Sequence, residues 1–246
     1  MRRLVGAFAC RIAGSRLYGK PLQLLDIERG VSVLDHMIEL ARTEPAISEV
    51  VLGIAETVGN DAFVEVARKH GIKSIRGSEK DVLHRLIQCC EAGQGTDIFR
   101  VTTESPFFYY DMIASVWQRH VEARNDVTVI DGLPEGSHFE IYSLDALRRS
   151  HDRGDSRHRS ELCSLYVREH REEFRVEVLP IPAVLERMDL RLTIDYPEDL
   201  VLCRAVYEKF RAFAPRIPLP RIVEFLDESP RLRELVAPFV HPTRLF

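Results

Sequence analysis

The sequence predicts an α/β fold, a mostly parallel sheet covered by helices, and three observations carry that prediction. Short apolar runs alternate with amphipathic helical patterns through the first half of the chain, which implies successive βαβ units. At 246 residues the chain is long enough for one large α/β domain, or for such a domain with a small appendage. The first apolar run also opens onto a loop of small and basic residues, at the strand end where open sheets of this kind bind ligands.

The elements follow in order. Residues 4–9 read as a strand and 31–43 as the first helix; the pairs 49–55 and 61–70, 74–75 and 79–92, and 97–102 and 109–123 repeat the pattern. Both the loop at 10–21 and the turn Thr102-Thr103-Glu104-Ser105-Pro106 leave carboxyl ends of strands, so they belong to the same edge of the sheet. Between Asp126 and Leu190 the texture changes to strand-like pieces at 127–130, 138–142 and 175–179. They are separated by the charged run His151-Asp152-Arg153-Gly154-Asp155-Ser156-Arg157-His158-Arg159, which reads as a solvated loop or as an arm reaching a partner subunit. Residues 197–213 and 220–239 look helical, with Ser229-Pro230 placed as a cap and a first-turn proline. The chain is thus expected to be a single domain over 1–246, with about 131–188 as a small inserted arm.

Composition narrows the function. Thirty-four basic and 38 acidic residues give a formal charge of −4, which supplies no electrostatic footprint for nucleic acid or an anionic membrane. Local basic clusters would have to capture an anionic small substrate. The five cysteines (Cys10, Cys89, Cys90, Cys163, Cys203) are an odd number without metal-like spacing, which favours a reduced chain, and the Cys89-Cys90 pair in a helical pattern reads as buried thiols. Arg2, Arg3 and Arg11 bracket only a short apolar run, so no signal or membrane-spanning segment is expected there and a cytoplasmic location follows.

The richest stretch is Cys10-Arg11-Ile12-Ala13-Gly14-Ser15-Arg16-Leu17-Tyr18-Gly19-Lys20-Pro21. Small residues leaving a strand, with three cations spaced among them, can aim backbone N–H groups and positive charge together at a polyphosphate. Neither Gly-x-Gly-x-x-Gly nor the Walker pattern is present, so dinucleotide and P-loop binding are not the natural readings. A strand-to-helix turn with solvated basic residues would share this composition, and further matches in order along the chain decide between the two.

The run resembles the nucleotide loop of the CMP-sugar synthetases, Ala-Arg-x-x-Ser-Ser/Thr-Arg-Leu-Pro-Gly-Lys. It keeps Arg11, Ser15, Arg16, Leu17, Gly19 and Lys20, and departs at Ala13-Gly14 and Tyr18. Arg100 through Pro106 is similar to the Arg-Ile-Thr-Ala-Asp-Cys-Pro of the spore-coat polysaccharide protein F branch, with Glu104 in place of Asp. Asp189-Leu190-Arg191-Leu192-Thr193-Ile194-Asp195-Tyr196-Pro197-Glu198-Asp199-Leu200 closely resembles that family's Leu-Arg-Leu-Thr-Val-Asp-Thr-Pro-Glu-Asp-Leu. A helix N-terminus accounts for Pro197, Glu198 and Asp199 but not for Asp195. The run from Arg76 to Arg85 matches Arg-Gly-Ser-Glu-Asp-Asp-Val-Leu-Asp-Arg, with His84 for Asp; locally it reads as a helix start capped by Ser78 with Asp81 three residues on.

The resemblance, to the acylneuraminate/CMP-sugar cytidylyltransferases, spans nearly residues 4–210 and implies a Rossmann-like nucleotidyltransferase sheet. It implies CTP held by Arg11, Ala13, Gly14, Ser15, Arg16, Lys20 and Arg85, and Mg²⁺ held by Glu104 and Asp195, with Lys20 and Arg11 sharing the catalytic work. Whether Glu104 ligates directly or through a water stays open, because its extra methylene moves the oxygens outward and Mg²⁺ geometry is strict. On the acceptor side the resemblance points to His138, Glu140, Glu161 and Tyr166, where departures from the family pattern cluster, and to a small anionic or sugar acceptor. Relatives that exchange an arm imply a homodimer, in which the basic residues of 151–159 face a partner's site. Transfer to a phosphonate or other non-sugar acid is the alternative within the class. A glycosyltransferase would want an Asp-x-Asp motif that Thr103-Glu104-Ser105 does not supply, and a nucleotide-binding protein without catalysis is the reading that the Glu104 replacement leaves open.

Overall fold

The computed structural model describes residues 2–244 and 246. Its strands are β1 (Leu4–Cys10), β2 (Leu24–Asp26), β3 (Val31–Ser32), β4 (Ile47–Ala55), β5 (Lys73–Gly77), β6 (Asp97–Arg100), β7 (Val127–Ile130), β8 (Glu140–Ser143) and β9 (Val176–Leu179). Its helices are α1 (Val33–Arg42), α2 (Asp61–His70), α3 (Val82–Ala92), α4 (Ile113–Glu122), α5 (Leu144–Arg153), α6 (Ser156–Arg159), α7 (Leu165–Glu169), α8 (Pro197–Phe210), α9 (Leu219–Asp227) and α10 (Pro230–Val236). Among the described residues seven strands make the main sheet in the order β5-β4-β1-β6-β8-β7-β9, and β2 and β3 form a separate hairpin. All neighbours in the main sheet are parallel except β8, which runs antiparallel to both β6 and β7. The fold is the expected mostly parallel α/β sheet.

A central strand covered on both faces must be apolar on both, and β1 is: Leu4, Phe8 and Cys10 face one core while Val5 and Ala7 face the other. The first core packs α1, α2, α4, α8 and α9 on one face of the sheet; the second packs α3, α5 and α7 on the opposite face. Phe8 and Phe99 are fully buried, and truncating either to Ala would cost about 3–5 kcal/mol. All five cysteines are buried and unpaired, as the Cys89-Cys90 reading expects. Among the described residues no helix is long and apolar enough to cross a membrane.

Several local expectations shift. Helix α1 starts at Val33 because Ser32 and Asp35 close a reciprocal capping box. Helix α3 is capped by Asp81 rather than Ser78: Asp81 Oδ1 accepts from the His84 N–H at 2.8 Å, and Oδ2 is held by His151 at 2.8 Å. Ser229 occupies the cap position before Pro230, but its hydroxyl makes no cap bond. The charged run is neither loop nor free arm. Its first residues end α5, and Asp155 caps α6 by accepting from the Arg157 N–H. Its cations turn back onto their own chain: Arg157 and His158 on Glu169, Arg153 on Glu173, and Arg159 on the His151 and Gly154 carbonyls. Segment 131–188 supplies β8 and β9 to the main sheet and α5–α7 to one face, so it is woven into the fold.

Candidate functional site

The site forms along the sheet edge where β1, β4 and β6 end and β8 begins, because Arg100 at the end of β6 pairs in register with Glu140 at the start of β8. The loop after β1 turns tightly there. Gly19 is left-handed (φ 59°) and donates its N–H to the Ile12 carbonyl at 2.9 Å; a Cβ on Gly14 would collide with the Leu17 carbonyl oxygen, so only glycine fits. The fully buried Asn60, between β4 and α2, fastens the loop from outside: its Oδ1 accepts from the Ile12 N–H at 2.7 Å, while Thr57 holds its amide. On the other side, Thr103 donates to the Ala9 carbonyl at 3.1 Å.

Two of the clefts on this edge share a wall. The first, about 340 Å³, is lined by Arg11, Ala13, Gly14, Ser15, Arg16, Lys20, Arg85, Arg100, Glu104, Glu161 and Asp195, together with apolar positions such as Ala9, Val82 and Leu86. Five cations face three carboxylates there. The second, about 440 Å³, is lined by Glu135, Gly136, His138, Glu140, Met188, Thr193 and the tail residues His241–Thr243. The clefts share Arg100, Val101, Thr102, Glu104 and Asp195, so the two expected metal carboxylates stand where one cleft passes into the other.

Asp195 is the best supported of these groups. Lys20 Nζ donates to its Oδ1 at 2.5 Å and Arg191 to its Oδ2 at 3.0 Å. Burial works against its charge, but these two cations hold its carboxyl below the usual range. Arg191 is clamped in turn by Asp199, whose Oδ2 also accepts the Asp195 and Tyr196 N–H groups at 2.8 and 2.9 Å. Asp199 therefore caps α8, as its place at the helix start implies, and with Arg191 it orients the segment that carries Asp195, a role the sequence reading missed. Glu104 hangs from a turn fixed by the Thr102–Ser105 hydroxyl pair and by the Ile194 N–H on its own carbonyl. Burial pushes its carboxyl up and the Asp195 charge adds to the push, against Lys20 and Arg100.

The remaining candidates divide. Arg11 pairs with Glu161 at 2.5 Å, which places Glu161 on the first cleft, away from the second. The Arg16 guanidinium lies over the Tyr196 ring at 4.8 Å, and that ring stacks on Phe239. Arg85 is not free: α3 packs so closely over the sheet that its buried guanidinium donates to the Cys10 and Gly53 carbonyls at 3.0 and 2.7 Å, bracing two strand ends while still lining the cleft. His138 and Glu140 do line the second cleft, with Glu140 paired to Arg100. Tyr166 lines neither; it is buried in the second core, stacked on His170 at 4.2 Å, because α7 turns its apolar face inward. Sequence reasoning also missed Asn60, whose role arises from a contact across the fold, and Arg191, whose partners Asp195 and Asp199 lie four and eight residues on.

Known proteins share the sequence pattern and the fold of this chain. A family model described as cytidylyltransferase matches residues 9–228. The chain is 27% identical over 232 residues to the spore coat polysaccharide biosynthesis protein SpsF of Bacillus subtilis, covering 94% of this chain and 96% of that one. Its fold is similar to that of a cytidylyltransferase from Leptospira borgpetersenii, with a TM-score of 0.84, 20% identity, and coverage of 94% and 97%. It also resembles a CMP:2-keto-3-deoxy-manno-octonic acid synthetase solved with CTP, with a TM-score of 0.64, 16% identity, and coverage of 84% and 99%.

Proposed function

The chain belongs to the cytidylyltransferase family, and from that premise we propose that it joins CMP from CTP to a hydroxyl of a sugar or sugar-acid acceptor, with Mg²⁺, releasing pyrophosphate. The observation that carries this reading is the pair of clefts meeting at Glu104 and Asp195: a cation-rich one suited to a triphosphate, and a roomier one beside it suited to the acceptor. The acceptor oxygen bonds to the α-phosphorus as the bond from that phosphorus to the bridging oxygen breaks. Pyrophosphate departs, and the hydroxyl proton is released to water.

Such a transfer asks little covalent chemistry of the protein, so positioning and charge neutralisation supply the rate. Arg11, Arg16 and Lys20 would face the phosphates, with Arg11 and Lys20 exchanging Glu161 and Asp195 for phosphate oxygens. Ala13, Gly14 and Ser15 would bring backbone close to the same groups. The donor set fits a hard divalent cation: two carboxylates converge, and the repulsion that raises Glu104 is one a bound cation relieves. Among the described residues no third His, Cys, Asp or Glu joins them, so an ion held there would take its other ligands from phosphate and water. Magnesium held there would supply Lewis-acid neutralisation of phosphate charge.

The test incubates the protein with Mg²⁺ and each nucleoside triphosphate in turn against an acceptor panel and follows pyrophosphate. Release that needs both CTP and an acceptor supports the reading; release indifferent to the base or to the acceptor overturns it. A homodimer acting in the cytoplasm belongs to the same proposal; the edge strand β9 and the five free cysteines support it.

A further inference from the structure

The charge around the second cleft carries the reading further. Among its described lining residues Arg100 is the only Lys or Arg, and Glu140 already neutralises it from a buried position. The cations nearest the rim are engaged as well: Arg191 with Glu135 at 2.6 Å, and Arg244 with Glu186. On the acceptor side of the cleft, Glu135 and Glu140 bring carboxylates to the wall instead. With Glu104 and Asp195, four carboxylates line the cleft against one guanidinium among the described residues. His138 adds no cation, since burial disfavours its charge and Asp131, at 3.7 Å, opposes that only in part. Thr102, Ser105, Thr193 and Thr243 complete the wall with neutral hydroxyls.

We propose that the acceptor is a sugar presenting hydroxyl or ammonium donors to this cleft, and that a sugar acid is selected against. The inference rests on the reading of the second cleft as the acceptor side. A carboxylate placed there would lose water and meet Glu135 and Glu140 with no unpaired Lys or Arg among the described lining residues to receive it, whereas a hydroxyl or ammonium would donate to the carboxylates of the wall. The first cleft has the opposite balance, so the protein can attract a polyphosphate and refuse an acid within one active site.

The test uses sets of sugars that share a skeleton and differ at one carbon only, which carries CH₂OH, CH₂NH₃⁺ or COO⁻. Each is offered to the full-length protein with Mg²⁺ and CTP, and pyrophosphate release gives kcat/KM. The alcohol or amine should exceed the acid by about ten-fold or more, the size of a single charge-assisted hydrogen bond. Met188→Lys supplies the missing cation from the cleft wall and should move the ratio about ten-fold towards the acid. Thr243→Lys on the exposed tail does the same should the first variant fail to fold. An acid that reacts as well as or better than its partners, or a ratio that neither variant moves, overturns the inference while leaving CMP transfer standing. Sets in which no member reacts, although calorimetry shows CTP bound, overturn the transfer reading and this inference with it.

Discussion

Lowering the pH should weaken this fold through one residue in particular, His36. Its imidazole is almost wholly buried in α1 between Phe107 and Tyr207, at ring distances of 5.8 and 5.3 Å, and its Nε2 finds no hydrogen-bond partner. Burial pushes its pKa from 6.5 down to about 4, and a backbone contact with Pro106 offsets only part of that. Because the folded pKa lies below the unfolded one, the contribution to stability is complete above pH 6.5 and is lost as the pH falls towards 4. The unfolded chain takes up a proton there that the folded one refuses. A gap of about 2.5 pH units corresponds to about 3 kcal/mol, spread over that window at no more than about 1.4 kcal/mol per unit. His36→Met replaces the ring with an apolar side chain that does not titrate. Urea unfolding of both proteins at pH 7, 5.5 and 4 isolates the effect, since the carboxylates titrate in both and cancel in the difference. The variant should lose about 3 kcal/mol less than the parent across the window. Parallel losses in the two proteins would refute the argument. Because Phe107 follows the turn that carries Glu104, the parent's activity should fall at an acid pH that the variant tolerates.

Four further outcomes follow from the site. Lys20→Ala should weaken CTP binding by about 1.5–3 kcal/mol in calorimetry with the fold intact, and unchanged affinity would remove Lys20 from the nucleotide site. Asp195→Asn should abolish turnover more completely than CTP binding, while Glu104→Asp keeps or improves activity if Glu104 ligates metal directly and loses it if the site is built around the longer side chain; single-turnover rates beside binding constants read both. Arg191→Met leaves the Asp199 carboxylate buried without its cation and should destabilise by about 3–5 kcal/mol in chemical denaturation, where a loss below about 1 kcal/mol would show that the clamp is idle. Light scattering should give a dimer at micromolar concentration, and a fully active monomer would defeat the proposed dimer.

What could be read from the chain was what depends on local pattern. Strand β7 and helix α2 begin and end where the apolar periods place them, at 127–130 and 61–70, because each is a self-contained signal. The loop from Arg11 to Lys20 and the carboxylate of Glu104 were legible because each lies just beyond the end of a strand, and parallel strands bring their ends to one edge. Asp195 was legible from its motif, although the residues before it form no strand beyond an isolated bridge at Arg191. Elsewhere two local signals competed and a distant contact chose between them. Ser78 and Asp81 are both good caps, and His151, seventy residues away, settles on Asp81. The charged run at 151–159 looked solvated because Glu169 and Glu173, which bind it, come later in the chain. Arg85 looked free for the same reason: nothing near it in sequence tells that the carbonyls of Cys10 and Gly53 lie beneath.

Strand β8 is the one strand of the main sheet that runs against its neighbours, and this gives the molecule a form of modularity. The nucleotide side is built where strands finish, so its residues are bound to the registers of β1, β4 and β6 and can move only if the sheet moves. His138 and Glu140 reach the same edge from the opposite direction, on the way into a strand, after a connection from β7 that lies outside the strands of the main sheet and is tied at Glu135 to the segment carrying Asp195. Descendants of this architecture could therefore exchange one substrate for another by rewriting side chains between Ile130 and Glu140 at constant length, with Glu135 kept. Protein engineers have the same handle: grafting those side chains between relatives, without changing the length of the connection, should shift acceptor choice.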